Sequence, residues 1–257
     1  QGRMIGFGAC ISGMLLQRMD YSGKFFPDMQ PLNVFVVALI AMLVCAAFGT
    51  VTGFFIAYLN VPPFIATLAM MEIVYGIGLI VTNATPLGGY VEQYTNVSNG
   101  KFLGINYLIW IAIIVAAITW FIFNMTRHGK YMYAIGGNPQ AAEVAGVPVK
   151  ATLILIYMKA AAMYGLAGFM LGAKAGGASV QTGYGYEMEA IAACTIGGVS
   201  VTGGRGKVSS AIIGVAVFEL LKVALQYLGM NANAQYIAIG VVIFIAISLD
   251  TVSYTHL

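Results

Sequence analysis

The sequence predicts an all-α fold, a polytopic transmembrane helical bundle, on three observations. Sixty per cent of the 257 residues are apolar and 8% are charged, where an ordinary soluble domain carries about 25% charged residues. No Asp, Glu, Lys or Arg stands between Asp28 and Glu72, nor between Lys101 and Arg127. Crossing about 30 Å of hydrocarbon takes about 20 helical residues, and several apolar runs reach that length. A soluble core of this size cannot bury so many helices that are apolar all round. The short alternating segments of a membrane β-barrel are absent.

Apolar runs and their breakers place eight crossings, at about 4–18, 33–59, 64–82, 106–126, 151–173, 188–204, 208–228 and 236–249. The first begins almost at Gln1, with no Met and no signal peptide before it, so the chain reads as an N-terminally truncated fragment. The second carries Gly49-x-x-x-Gly53 and the fifth Gly168-x-x-x-Gly172. Such pairs let backbones approach closely, either within one chain or across a dimer seam. The third holds Glu72, which either lines a polar path or bonds a neighbouring helix, and the fifth holds Lys159, placed to snorkel. The sixth, with AIAACTIGGVSVTGG, is rich in Gly and small polar residues and reads equally as a broken or re-entrant helix. Glu187 and Glu189 stand at its entrance, where a helix dipole favours carboxylates; they are caps or a polar gate. In the seventh, Glu219 and Lys222 are spaced to pair with each other.

Between the fourth and fifth crossings lies a polar island of 25 residues, Thr126 to Lys150. Within it AIGGNPQAAEVAGVPV predicts a miniature helix: Asn138 as N-cap, Pro139 at the first helical position, a body containing Ala142 and Glu143, Gly146 as terminator and Pro148 closing the exit. A helix of about two turns is marginal alone in water, so it needs a partner to pack on. Arg127, Lys130, Lys150, Arg205, Lys207 and Arg3 fall on one side of the membrane and Arg18, Lys24, Lys101 and Lys174 on the other. That bias places the island in the cytoplasm and the loops 20–31 and 83–105 outside.

The remaining chemistry is mostly excluded. A net charge of +3 with no basic run gives no reason to expect nucleic acid. Cys10, Cys45 and Cys194 lack disulfide or metal spacing. The string GGRGKVSS is not a phosphate loop, because Val201 and Val208 stand where Gly and Ser or Thr are required. The histidines, His128 and His256, lie in the island and the tail, away from any hydrolytic constellation. No catalytic residue, metal or cofactor is expected.

The strings NVPPFIATLAMMEIVYGI, GKYMYAIGGNPQAAEVAGV, GYEMEAIAACTIGGVSVTGGRGKV and QYIAIGVVIFIAISLD together resemble the permease subunits of bacterial sugar ABC importers, in the ribose, galactose and xylose branch. Within that branch, NPQAAEVAGV and YEMEAIAACTIGGVS look most like the galactose and methyl-galactoside type. The resemblance implies a permease of roughly ten helices in the inner membrane, of which residues 1–257 form a single truncated domain. It implies a second permease chain as homodimer partner, cytoplasmic ATPase subunits, a periplasmic or lipid-anchored sugar-binding protein, and surrounding lipid. Residues 127–150 become a cytoplasmic coupling loop, with Gly136, Gly137, Asn138, Pro139, Ala142, Glu143 and Gly146 as its ATPase-docking turn and helix. Glu187, Glu189, Ser200, Gly203 and Gly204 join the broken segment near the translocation path, with Glu72 as a further path residue. Lys159 stands where the family pattern leads one to expect an apolar residue, and the tail TVSYTHL lacks a basic ending.

An importer of this kind transmits ATP-driven motion through a rigid cytoplasmic knob. Its path needs only weak polarity, because selectivity resides mostly in the binding protein. The competing class is an ion-coupled secondary transporter using Glu72 or Glu219, which needs no docking helix; a scaffolding role leaves the Gly-rich segment without purpose.

Overall fold

The first helix, α1 (Gly2–Leu15), is buried along almost its whole length. Its sequence GRMIGFGACISGML explains this, because Gly6, Gly8, Ala9 and Gly13 leave room for neighbours on every side. The structure is a computed structural model that describes residues 2–231, 234–242, 244 and 248. The chain divides into two compact units, Gln1–Ile113 with Lys150–Tyr184, and Ile114–Val149 with Gly185–Leu257.

In the first unit α1 packs against α2 (Val34–Leu59) and α3 (Pro63–Thr82). Asn33 caps α2 by accepting from the Phe35 amide, and Pro63 opens α3 where its missing N–H has no partner to lose. The long α8 (Val149–Ala175) closes the unit through a seam of small residues. A Cβ built on Gly168 would overlap the Ile5 carbonyl, one on Gly49 would overlap Tyr157, and one on Gly53 would meet Ile154 Cα at 2.8 Å. Both Gly-x-x-x-Gly pairs are therefore spent on contacts inside the chain, which resolves that choice against a dimer seam.

The loops expected outside the membrane meet at one end of this unit. The Arg18 backbone amide donates to the Gly89 carbonyl at 2.7 Å and the Val91 amide to the Leu16 carbonyl at 2.9 Å. The 83–105 loop is more ordered than its composition suggests: it contains α4 (Glu92–Asn99) and a hairpin of β1 (Lys101–Phe102) and β2 (Ile105–Asn106). Tyr94 and Ser98, one turn apart on α4, are buried and donate to the Phe169 and Ala173 carbonyls of α8 at 2.7 and 3.2 Å. Burial, with Tyr90 beside it, raises the Tyr94 pKa above the ordinary tyrosine range, so the hydroxyl stays a donor.

The helix α5 (Tyr107–Met125) belongs to the second unit from Ile114 onward; there α6 (Arg127–Gly137) and α7 (Pro139–Val144) follow it, and α9 (Tyr186–Ile196) forms a hairpin with α10 (Val208–Tyr227). Five helices among the described residues, α2, α3, α5, α8 and α10, are long and apolar enough to cross a membrane. The first expected crossing is the 14-residue α1. The sixth takes its broken form: α9 has 11 residues, about 16 Å, and ends in a glycine-rich turn. Of the last, 236–249, residues 236–242, 244 and 248 are helical and the others lie outside the described residues, as does the tail.

Candidate functional site

The polar island builds itself from its caps. Thr126 ends α5 and starts α6: its hydroxyl donates to the Ile122 carbonyl at 2.6 Å and accepts from the Gly129 amide at 3.2 Å. Asn138 serves two helices, donating its N–H to the Ala134 carbonyl of α6 at 3.1 Å and accepting from the Ala141 amide of α7 through Oδ1 at 2.9 Å. Pro139 fills the first position of α7. At the far end Gly146, at φ +81°, donates to the Glu143 carbonyl at 2.9 Å, and Val147 donates to the Ala142 carbonyl at 3.0 Å. Those two bonds are a Schellman closure, which needs a left-handed residue at the glycine. The sequence predicts α7 but reads as loop over 127–137, where three glycines in eleven residues lower the helix propensity of what the structure shows as α6.

Of α7's six residues Ala142 alone is buried, at 4% exposure, and Val144 is 91% exposed. Glu143 is also exposed. The knob thus keeps one small anchor inward and presents an apolar side chain to water.

Immediately before the knob, α6 ends against the turn that precedes α10. A Cβ on Gly136 would overlap the Gly204 amide, and one on Gly204 would lie 2.7 Å from the Gly137 amide nitrogen. Only glycine permits this backbone-to-backbone approach. Tyr133 secures it by donating its hydroxyl to the Gly206 carbonyl at 2.8 Å. The turn folds on itself: Ser200 donates to the Arg205 carbonyl at 3.1 Å, Gly203 to the Ser200 carbonyl at 3.3 Å, and the Ser200 and Thr202 hydroxyls stand 2.8 Å apart. Beside it is a cavity of about 330 Å³ lined by Phe123, Met132, Tyr133, Cys194 and Arg205 among others. Residues assigned from sequence to docking (Gly136, Gly137) and to the path (Ser200, Gly203, Gly204) therefore form one place.

The remaining path residues lie elsewhere. Glu72 is exposed on α3 of the first unit. Glu187 and Glu189 sit half-buried in the first turn of α9, at the end away from Ser200. Lys222 contacts Glu219 at 3.5 Å, the pairing expected within α10, and Glu189 of α9 joins it more closely at 2.9 Å. The helical register explains the preference. Phe218 packs into Ala192 and Ala193 of α9, so Lys222, one turn further along α10, falls over Glu189, one turn back along α9. Glu219 points off that face and remains 55% exposed. Tyr133, Gly206 and Lys222 were not picked out as site residues, since their partners are 33 to 73 positions away.

Comparison with known proteins decides the family. The sequence pattern described as "Branched-chain amino acid transport system / permease component" matches residues 1–247. The chain belongs to this permease family. It is 40% identical over 262 residues to the galactose/methyl galactoside import permease protein of Escherichia coli (strain K12), covering 99% of this chain and 78% of that one. The protein of the same name from Haemophilus influenzae is 40% identical over 260 residues, at 98% and 77% coverage. The ribose import permease protein of Escherichia coli (strain K12) is 35% identical over 222 residues, at 85% and 69%. No solved structure matches. With its five long apolar helices the permease is a multi-pass membrane protein.

Proposed function

We propose that this permease forms the inner-membrane path of an ATP-driven importer for a monosaccharide of the galactose or methyl-galactoside kind, and that a separate cytoplasmic ATPase drives it through α7. The similarity to import permeases named for those sugars supports the substrate class. The observation that carries the mechanism is α7 itself. Six residues are too few to be stable as a free helix, yet this one is capped at both ends and holds Val144 at 91% exposure. An apolar side chain so placed gains by being covered, and a groove on an ATPase subunit is the cover.

Residues 127–150 are then the coupling loop within a single permease domain. Asn138, Pro139 and Gly146 fix the knob, Glu143 and Val144 face the partner, and Ala142 anchors it. Motion of the knob reaches the Gly203–Gly204 turn through Gly136, Gly137 and Tyr133. Glu72 in the first unit and Glu187, Glu189 and Ser200 in the second contribute polar side chains to the path. ATP hydrolysis lies on the partner, sugar is delivered by a periplasmic or lipid-anchored binding protein, and a second permease chain completes the channel.

The test is co-purification and uptake with Val144→Asp. The expected result is normal membrane insertion, loss of the bound ATPase and loss of ATP-dependent uptake. Retained ATPase with normal uptake sinks the docking role. Uptake by the permease alone under an ion gradient sinks the ATP-driven reading.

A further inference from the structure

Arg3 is the least expected charge in the molecule. It stands at the start of α1, and Leu15 at the other end of that helix joins the outer loop. Twelve helical steps separate Arg3 from Leu15, a rise of about 18 Å, which is shorter than a hydrocarbon layer of about 30 Å. A largely buried arginine in an apolar helix of a membrane protein is costly and marks a functional position by default.

Its surroundings are unusual in three ways. The guanidinium carbon is 3.9 Å from the centre of the Tyr75 ring on α3 and 4.7 Å from that of Tyr184. Among the described residues no carboxylate pairs with it, and its Nε and Nη1 are buried without a hydrogen-bond partner. The stretch 177–184 beside it is not helical and runs back along α1, with the Val180 and Thr182 carbonyls 2.7 Å from where a Gly6 Cβ would stand. Irregular backbone at membrane depth persists only where protein buries it or where it lines a wet cavity. Tyr184 itself is 69% exposed.

We propose that Arg3, Tyr75 and Tyr184 form a transit station for a pyranose ring in the translocation path. The proposal rests on the sugar-import reading above and names where the sugar is touched. The guanidinium offers fixed N–H donors to ring hydroxyls, and a tyrosine face receives the apolar C–H side of the ring. Two properties favour a neutral sugar. Two aromatic rings already lie close to the guanidinium, so its charge is partly satisfied by them. The absence of a paired carboxylate leaves the N–H groups free to donate, and each hydroxyl contact remains weak enough to release.

The test uses the full-length importer, with its ATPase and binding protein, in proteoliposomes. Arg3→Gln and Tyr184→Ala are expected to assemble with the ATPase and keep basal ATP hydrolysis, while galactose uptake falls about tenfold, the loss of charged hydrogen bonds. Tyr184→Phe keeps the ring face and keeps uptake. Arg3→Gln is further expected to change the relative uptake of galactose and its deoxy analogues, which a merely structural arginine would not do. Unchanged uptake and unchanged analogue ratios in Arg3→Gln overturn the station. So does failed assembly in both Arg3→Gln and Arg3→Lys, which makes the stack a structural clamp, and so does inhibition of uptake by phosphate but not by unlabelled sugar, which makes it an anion site. Failure of the wild type to take up galactose with ATP present overturns the import reading instead.

Discussion

The α1–α8 seam of the first unit and the Gly136–Gly204 junction of the second are made from the same residue type in the same way, by glycines that let one backbone touch another. Their surroundings differ. At the seam both partners are helices with internal hydrogen-bond ladders, and the contact is held from the side by Tyr94 and Ser98 bonding to α8. At the junction one partner is a turn with Gly203, Gly204 and Gly206 at φ +95°, +71° and +144°, tied across by the Tyr133 hydroxyl. Two laddered helices cannot slide past each other without reopening a packed interface. A turn without a ladder can change shape at small cost. Close approach therefore acts as a foundation in one unit and as a joint in the other.

The largest expected effect breaks the foundation. Gly168→Leu puts a side chain into the Ile5 carbonyl and the Ala9 amide, and α8 cannot retreat because a Cβ on Gly165 would already lie 2.5 Å from the Ala41 carbonyl of α2. Overpacking of this kind costs about 3 kcal/mol. The expected outcome is loss of monodisperse protein after detergent extraction; a variant that purifies with wild-type yield and thermal midpoint would show the seam to be soft.

The second effect loads the joint. Gly204→Val combines a left-handed φ with a Cβ against Gly137, a strain of about 2 kcal/mol that the turn absorbs by shifting away from α6. Protein yield is expected to stay near wild type while ATP-driven uptake falls about tenfold, the change that about 1.4 kcal/mol of barrier makes. Normal uptake would mean that the junction transmits nothing.

This division was only half legible in the sequence. Hydropathy located the long spans within a few residues, for instance 33–59 against Val34–Leu59 and 208–228 against Val208–Tyr227, because length and apolarity are what a bilayer selects. The α7 caps were readable too, since Asn138, Pro139 and Gly146 act on neighbours in sequence. What escaped depends on distant partners. Small residues in α1 gave no hint of which helices would bury it. The Glu189–Lys222 pair joins positions 33 apart, and a spacing rule within α10 reaches only Glu219, which Lys222 also contacts at 3.5 Å. α4 left a trace in the Tyr94 and Ser98 spacing, but its mean polarity reads as loop. The Gly136–Gly204 contact has no local signature, because glycine in a turn looks alike whether or not a second backbone touches it.

The smallest effect sharpens the comparison, because it removes the same chemical group from both places. Tyr94→Phe and Tyr133→Phe each delete one hydroxyl that donates to a backbone carbonyl, at 2.7 Å to Phe169 and 2.8 Å to Gly206. A loss of this kind is worth about 1 kcal/mol, borne by the folded state or by the barrier to motion according to which parts the bond joins. At Tyr94, fully buried under α8, the loss falls on the folded state as a whole. The thermal midpoint is expected to drop by about 3 °C, with uptake per folded molecule unchanged. At Tyr133 the ring still packs on Phe123 at 5.8 Å, so the fold keeps its stability and the tie across the joint is what goes. Uptake per molecule is then expected to fall about fivefold at an unchanged midpoint. If the two variants exchange these behaviours, the joint lies at α4 and α8, and the Gly136–Gly204 contact is the foundation.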